Sequence, residues 1–403
     1  MDRRLLRLEV ENFRSLRKVS LPLGDLNVLV GPNGAGKTNV LEVFKFLADI
    51  IRTDLEPALN SRHGFDEIVF RGGAQPPASI RIEVTATWTT HSSLNAPDNY
   101  NLLITRPRRR VVGSPVRILR RETFQFKRTG GRGRRITISG AKATVVDIDR
   151  AQQEEPESSI GIQPLSSGLS TLPRLSDEAG AAEVSAVADR LASFRVFDVS
   201  VNAARLPSRL PRIREPLEED ASNLASFLLS LSRNHEREWS HLVQDAASIV
   251  PNLRDIGFEY PSGAGREVVV VLDERGLRRP TQLADASFGT VRLLGLLSLL
   301  YDPDPPALTC VEEIDHGLHP QALELLVERL REASERTQFI IATHSPALAD
   351  RLKPSELVVC ERREDGSSAI PAVSLDQVEH IVQESEGLPL GELWFSGALG
   401  GDL

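Results

Sequence analysis

Apolar and polar positions change period at definite points along the chain. Leu6, Leu8 and Val10 alternate with polar residues, and 19–23 and 27–30 are further short apolar runs, so residues 4–30 read as two or three strands. Residues 39–47 then carry Val40, Leu41, Val43, Phe44 and Leu47 at helical spacing, and the helix is expected to reach about Ile51. Residues 80–88 alternate again as a strand. Between 100 and 150 the segments 116–119, 123–127 and 135–139 are strand-like, with 129–133 as a turn. Residues 151–180, rich in Ser, Pro, Gly and Glu, read as a loop or partly disordered linker. Helical stretches follow at about 178–194 and 221–249, the second with Asp220 or Ser222 as cap. Residues 268–272 return to strand, and from 283 helix and strand alternate, as in a parallel sheet with crossover helices.

This pattern predicts three parts. Residues 1–90 form a first half around a glycine-rich loop, 91–250 an insertion, and 251–403 a second half. Within the insertion lie a basic β segment (100–150), the linker (151–180) and a helical part (181–250).

Composition narrows the class. No apolar run approaches 18 residues; the longest, near 291–300, contains Arg292 and is too short to span a bilayer. The N-terminus has no apolar segment of the secretory kind, so no membrane partner is expected. The only cysteines, Cys310 and Cys360, each end a β-like run and read as reduced core residues of a cytoplasmic protein. The net charge of −8 hides an asymmetry: between Arg106 and Lys142 there are 13 Lys/Arg and one acid, Glu122. That segment carries +12, leaving −20 on the rest. It suits a surface that tracks DNA or RNA phosphates, each neutralised phosphate adding salt-dependent affinity. It equally suits a solvated Arg-rich hairpin, or one docked on the protein's own acidic surface. Only Phe124 and Phe126 are available there to stack on bases.

The chemistry concentrates in four places. Residues 31–38, Gly-Pro-Asn-Gly-Ala-Gly-Lys-Thr, match G-x-x-x-x-G-K-[ST] between a strand and a helix. There backbone N–H groups wrap phosphates at a helix N-terminus, Lys37 reaches the β/γ-phosphates and Thr38 can ligate Mg²⁺. Residues 307–311 form a buried-strand run ending in Glu312-Glu313. Beside a phosphate loop, one carboxylate organises the Mg²⁺ shell and the next activates water; alone, the pair reads as solvated acids at a strand end. Residues 339–343 form another strand, ending at His344-Ser345-Pro346, which points an imidazole into the ligand crevice or serves structure only. Ser287-Phe288-Gly289 opens an apolar helix, as a second anion site or an ordinary N-cap. Asp147-Ile148-Asp149 reads as a turn.

The order of these motifs resembles the ABC-type P-loop ATPases of the RecF, SMC and OLD group, also known as AAA-family ATPases. The opening Glu11-Asn12-Phe13-Arg14-Ser15-Leu16, residues 65–72 and the tail 391–397 share the likeness, which therefore runs along nearly the whole chain. It implies an α/β P-loop NTPase of ABC/SMC-head type with a mixed β N-terminal lobe and an inserted β-plus-helical lobe. It implies ATP and Mg²⁺ as ligands, with Asn33, Gly34, Ala35, Gly36, Lys37, Thr38 and Asn39 at the nucleotide. Thr38 and Glu312 stand at the metal, and Glu313, His344 and Lys37 at the chemistry: Glu313 as general base, His344 as γ-phosphate sensor. Ser287 and Gly289 match the signature motif, which acts on a partner's nucleotide, and 315–319 the seam of a head-to-head homodimer. The likeness extends to bacterial defence or DNA-maintenance modules.

Two departures stand out. Glu312 replaces the usual Asp, and the signature carries Phe288 with no Gln after it. No Q-loop glutamine can be placed; Gln75 and Gln125 are positionally open. After His344 only 59 residues remain, too few for the nuclease domain of OLD-type relatives, so a nuclease or other effector is expected as a separate partner. The resulting expectation is an ATPase whose dimerisation switches a nucleic-acid-related or antiphage complex. The alternative is a nucleotide-gated binding module with little hydrolysis that signals to an effector. A transporter subunit fits the long insertion and weak signature poorly.

Overall fold

The computed structural model describes residues 3–73, 75–107, 118–127, 133–148, 158–174, 181–210, 215–261, 266–385 and 387–400. Two sheets organise them. The first is antiparallel, in the order β2-β1-β4-β5-β6-β7-β8-β9. Its strands are β1 (Leu5–Phe13), β2 (Leu16–Pro22), β4 (Ser79–Ala86), β5 (Asp98–Thr105), β6 (Leu119–Lys127), β7 (Gly133–Ser139), β8 (Lys142–Ile148) and β9 (Ser158–Gly161). β4 and β5 alternate strictly between buried and half-buried residues, so one face packs inward and the other meets solvent.

The second sheet is parallel, in the order β10-β15-β16-β3-β17. It comprises β3 (Leu26–Val30), β10 (Arg195–Phe197), β15 (Leu308–Glu312), β16 (Gln338–Thr343) and β17 (Leu357–Val359). Every residue of β3 and β16 is buried, as expected of strands covered on both faces. Their side chains divide by parity between two cores. Leu29, Cys310, Ile340 and Ala342 join α1 (Lys37–Thr53) and the inner face of the antiparallel sheet. Val28, Val30, Val311, Phe339 and Ile341 face α7 (Leu224–Asn234), α9 (Phe288–Leu300) and α10 (Pro320–Ala333). α1 is thus held between the sheets.

Smaller elements close the surface. Short helices α2 (Leu55–Asn60) and α3 (Phe65–Ile68) follow α1, and α4 (Gly168–Thr171) and α5 (Ala181–Ser193) pack back on it. α6 (Val201–Ala204) precedes a small sheet of β11 (Ser208–Arg209), β12 (Leu253–Glu259), β13 (Glu267–Glu274) and β14 (Thr281–Gln282). α8 (Glu236–Ile249) leads into it. After α11 (Pro346–Ala349), β18 (Glu361–Arg362) pairs with β19 (Ser368–Ala369), and α12 (Leu375–Glu384) and α13 (Leu390–Phe395) end the described chain.

Several expectations change. Residue 90 falls between two paired strands, β4 and β5, so strands β5 to β9 of the 91–250 stretch continue the sheet begun by β1 and β2, while β10 joins the parallel sheet and β11 the small one. The described part of 151–180 is tied down rather than loose: β9 joins β8, and Ser167 Oγ and Gly168 N donate to the fully buried Glu122 carboxylate at 3.0 Å. The single helix expected over 221–249 is two, parted at His235 (φ −140°) after Asn234, both weak helix formers. Neither expected cap serves it. Asp220 Oδ1 accepts from Ser222 N, and Asn223 stands at the N-cap. Asp147 lies in β8 rather than a turn, opposite Arg134, whose Nε donates to it at 2.7 Å. The expected turn at 129–132 and Asp149 lie outside the described residues.

Candidate nucleotide site

In a parallel sheet all carboxyl ends share one edge, where ligands gather. β15, β16 and β3 are neighbours, with Glu312 in register with Ala342 and Thr343 with Val30. The loop after β3, the acids after β15 and the histidine after β16 are therefore brought side by side. Asn33, Gly34, Gly36, Lys37, Thr38, Asn39, Glu312, Glu313, Thr343, His344 and Arg362 line one cavity of about 260 Å³.

The loop has a demanding backbone. Gly34 (φ 82°) and Gly36 (φ 103°) lie in the left-handed region, and Gly36 is the N-cap of α1. Ala35 turns its methyl into the core. Behind the loop, Asn39 Nδ2 donates to Ser15 Oγ at 2.7 Å, and Ser15 Oγ lies 2.7 Å from Ser368 Oγ. Lys37 Nζ donates to the carbonyls of Gly31 (2.6 Å) and Pro32 (2.9 Å). Burial lowers the pKa of this ammonium, with Cys360, Glu313 and Asp315 acting the other way.

Across the cavity, Thr38 Oγ1 donates to Glu312 Oε2 at 3.3 Å. Burial raises the Glu312 carboxyl above its usual range, opposed by that hydrogen bond. Glu313 sits at φ 46°, unusual for a residue with a side chain and a mark of backbone strain held by its surroundings. Its carboxylate lies 3.4 Å from His316 Nδ1. Thr343 Oγ1 donates to Asp315, fixing the turn after β15 against the end of β16.

The structure gathers most of the sequence-predicted residues and leaves two elsewhere. Ser287 and Gly289 do not line the cavity. Ser287 caps α9, its Oγ accepting from Thr290 N at 3.1 Å, and the ring of Phe288 packs 5.5 Å from that of His316. Gln75 and Gln125 are both exposed and away from the cavity. Three residues at or beside the site were not assigned to it from the sequence: Arg362, which lines the cavity and donates to Gly34 O at 3.4 Å; Asp198, after β10; and Arg292, inside α9. Arg292 is visible in the sequence as the lone charge of the apolar run 291–300, a signal that names no partner. Arg362 carries no such signal, since it arrives from a distant hairpin.

The basic segment is spent partly indoors. Arg106 pairs with Asp66, Arg120 is fully buried 3.4 Å from Glu122, and Arg134 binds Asp147 and Glu183. Arg121, Arg135 and Lys142 remain on the exposed face; Arg108, Arg109 and Arg110 lie outside the described residues. Cys310 and Cys360 are free and buried. Among the described residues no helix is long and apolar enough to cross a membrane.

The sequence family described as “AAA domain, putative AbiEii toxin, Type IV TA system” matches residues 26–350. A 57-residue stretch is 49% identical to the OLD nuclease of Thermus scotoductus, covering 14% of this chain and 10% of that protein. Another of 131 residues is 28% identical to the DNA replication and repair protein RecF of Francisella tularensis subsp. mediasiatica, covering 32% of this chain and 36% of that one. The chain thus spans about a tenth and about a third of these two relatives. The fold is similar to the SMC head bound to the C-winged helix domain of ScpA (TM-score 0.50, 14% identity, 91% of this chain and 96% of that chain). It is equally similar to the Pyrococcus furiosus SMC head domain bound to the C-terminal domain of ScpA (TM-score 0.50, 13% identity, 96% and 100%). The expected resemblance to the RecF, SMC and OLD group, and the α/β head it implied, stand.

Proposed function

The chain belongs to that AAA-domain family of P-loop ATPases, and on this premise we propose that it is a Mg²⁺-dependent ATP hydrolase whose site is completed by a second copy. The observation that carries the reading is the single cavity with Lys37 and Thr38 on one wall and Glu312, Glu313 and His344 on the other. Backbone N–H groups at the start of α1 hold the phosphates, and Lys37 exchanges its bonds to Gly31 O and Pro32 O for phosphate oxygens. The hydroxyl of Thr38 and the carboxylate of Glu312 are hard oxygen donors already 3.3 Å apart, which fits Mg²⁺. That ion commonly takes one or two protein ligands and completes its shell with phosphate and water. When bound it neutralises phosphate charge. Glu313 accepts the proton of the attacking water, and His344 donates toward the γ-phosphate. Ser287 and Gly289, remote from the chain's own cavity, serve the nucleotide of the partner copy. The homodimer closes on ATP and opens on hydrolysis.

We further propose a cytoplasmic switch in a nucleic-acid-related or antiphage complex, with a nuclease or other effector as a separate protein and DNA or RNA met at the 106–142 region; the DNA replication and repair role in the name of the RecF relative supports the nucleic-acid part. The test is ATP turnover with Mg²⁺. Lys37→Ala abolishes nucleotide binding, and Glu313→Gln binds ATP, stops turnover and accumulates a dimer by light scattering. Full hydrolysis by Glu313→Gln would sink the assignment of the base. A second reading, a nucleotide-gated binder with little turnover, draws on the longer Glu312 and on the contact of Glu313 with His316. Tight ATP binding with turnover near background, unchanged by DNA, selects it.

A further inference from the structure

Helix α9 is apolar and buried from Val291 to Leu300, with one charged residue in that run, Arg292. A guanidinium in such a place is costly unless its donors are met. Here Nη1 and Nη2 reach main chain from two strand ends, while Nε is buried without a hydrogen-bond partner. Nη2 donates to Glu313 O at 2.8 Å and Glu312 O at 3.1 Å, and Nη1 to Val199 O just beyond β10. Asp198 Oδ1 lies 4.0 Å away on the rim. The carbonyls it grips belong to the two acids of the cavity, one of them in the strained left-handed conformation. The first turn of the same helix touches the same loop from the other side. Phe288 fills the space where a Cβ on Gly317 would stand, and a Cβ on Gly289 would come within 2.9 Å of Gly317 O. The Phe288 ring faces His316, whose Nδ1 lies 3.4 Å from the Glu313 carboxylate.

We propose that Arg292 is a positioning residue that fixes the main chain of Glu312 and Glu313 from within α9 and couples that turn to the Ser287-Phe288-Gly289 end of the helix. This rests on the reading of the cavity as an ATP-hydrolysing site. The two Nη nitrogens of a planar guanidinium serve two places at once, Nη2 the carbonyls of Glu312 and Glu313 and Nη1 that of Val199, whereas an ammonium offers its three donors from one point. A residue chosen only to fill volume would be apolar, as its neighbours are. With Arg292 in place, a push on the first turn of α9 by a closing second copy moves the Glu313 turn as one body.

The experiment uses the full chain with Arg292→Met, which keeps volume, and Arg292→Lys, which keeps charge. Affinity for a fluorescent ATP analogue, kcat and KM for Mg·ATP, the melting temperature, and hydrogen–deuterium exchange of peptides over 31–39 and 312–317 are compared with wild type. The expected result is affinity and KM within about twofold of wild type. The expected kcat is about 10–100-fold lower in Arg292→Met and partly regained in Arg292→Lys. Exchange over 312–317 rises about tenfold, while 31–39 keeps its nucleotide protection. A folded Arg292→Met with wild-type kcat and wild-type exchange over 312–317 overturns the proposal. So does equal loosening of 31–39, which marks a general support. If Arg292→Met does not fold, Arg292→Lys decides by the same readouts. If the wild type binds ATP without turning it over, the hydrolysis reading falls, and exchange over 312–317 still decides the role of Arg292.

Discussion

Gly36→Ala isolates how the phosphate loop is held. Two separate terms oppose the methyl group. The first is conformational: at φ 103° a residue with a side chain pays about 1–3 kcal/mol. The second is steric. A Cβ built there lies 2.2 Å from Ser368 Oγ and 2.8 Å from Ser15 Oγ, where ordinary contact begins at about 3.4 Å. Relief requires the β18–β19 hairpin to retreat by about 1 Å. That retreat breaks the 2.7 Å contact between Ser15 and Ser368, worth about 0.5–1.5 kcal/mol. Together the terms come to about 2–4 kcal/mol, and the loop escapes them by leaving its phosphate-binding shape. Affinity for a fluorescent ATP analogue is therefore expected to fall by about 30–700-fold, at 1.4 kcal/mol per factor of ten. Gly34→Ala is the internal control. Its φ of 82° carries the conformational term, but nothing lies within 4 Å of the added carbon, so its loss is expected to be about tenfold. Gly36→Ala combined with Ser368→Gly removes the closest clash and should recover part of the affinity, down to the level of Gly34→Ala. Equal affinities for Gly36→Ala and Gly34→Ala would refute the steric half of this reasoning, and wild-type affinity in Gly36→Ala would refute all of it.

Two further outcomes follow from the antiparallel sheet. Burial raises the Glu122 carboxyl above its usual range, so its neutral form is favoured in the fold. That contribution is complete below about pH 4 and is lost as pH rises through the folded-state value. Urea midpoints of the wild type should decline across that rise relative to Glu122→Gln, and parallel pH profiles would reject the assignment. On the exposed face, neutralising Arg121, Arg135 and Lys142 to Gln should flatten the salt dependence of duplex-DNA affinity by about 2–3 in log–log slope, read by fluorescence anisotropy. An unchanged slope would remove this face from any nucleic-acid contact.

Much of the machinery was legible because its signals are local. The strand–loop–helix around Gly31 to Thr38, the apolar runs of β15 and β16, and the acids and histidine at their ends each lie within one short window. The misreadings share a different cause. Glu122 looked like the lone acid in a basic surface; it is a buried acceptor for Tyr100, Ser167 and Gly168, the last two from a segment that reads as linker. Arg134 and Asp147 form a cross-strand pair, although their sequence suggests a basic surface and a turn. Which charges a fold buries together depends on strand register, and register is settled by packing over the whole sheet.

The sequence by itself determined that a glycine loop runs from a buried strand into a helix start and that carboxylates and a histidine end buried strands, because spacing and periodicity are properties of adjacent residues. Only the tertiary structure decided that β15, β16 and β3 stand in that order, that Arg362 enters the cavity, and that Arg292 grips the Glu312-Glu313 turn. Those contacts join residues far apart in the chain, and closing them depends on the burial of two hydrophobic layers rather than on any local preference.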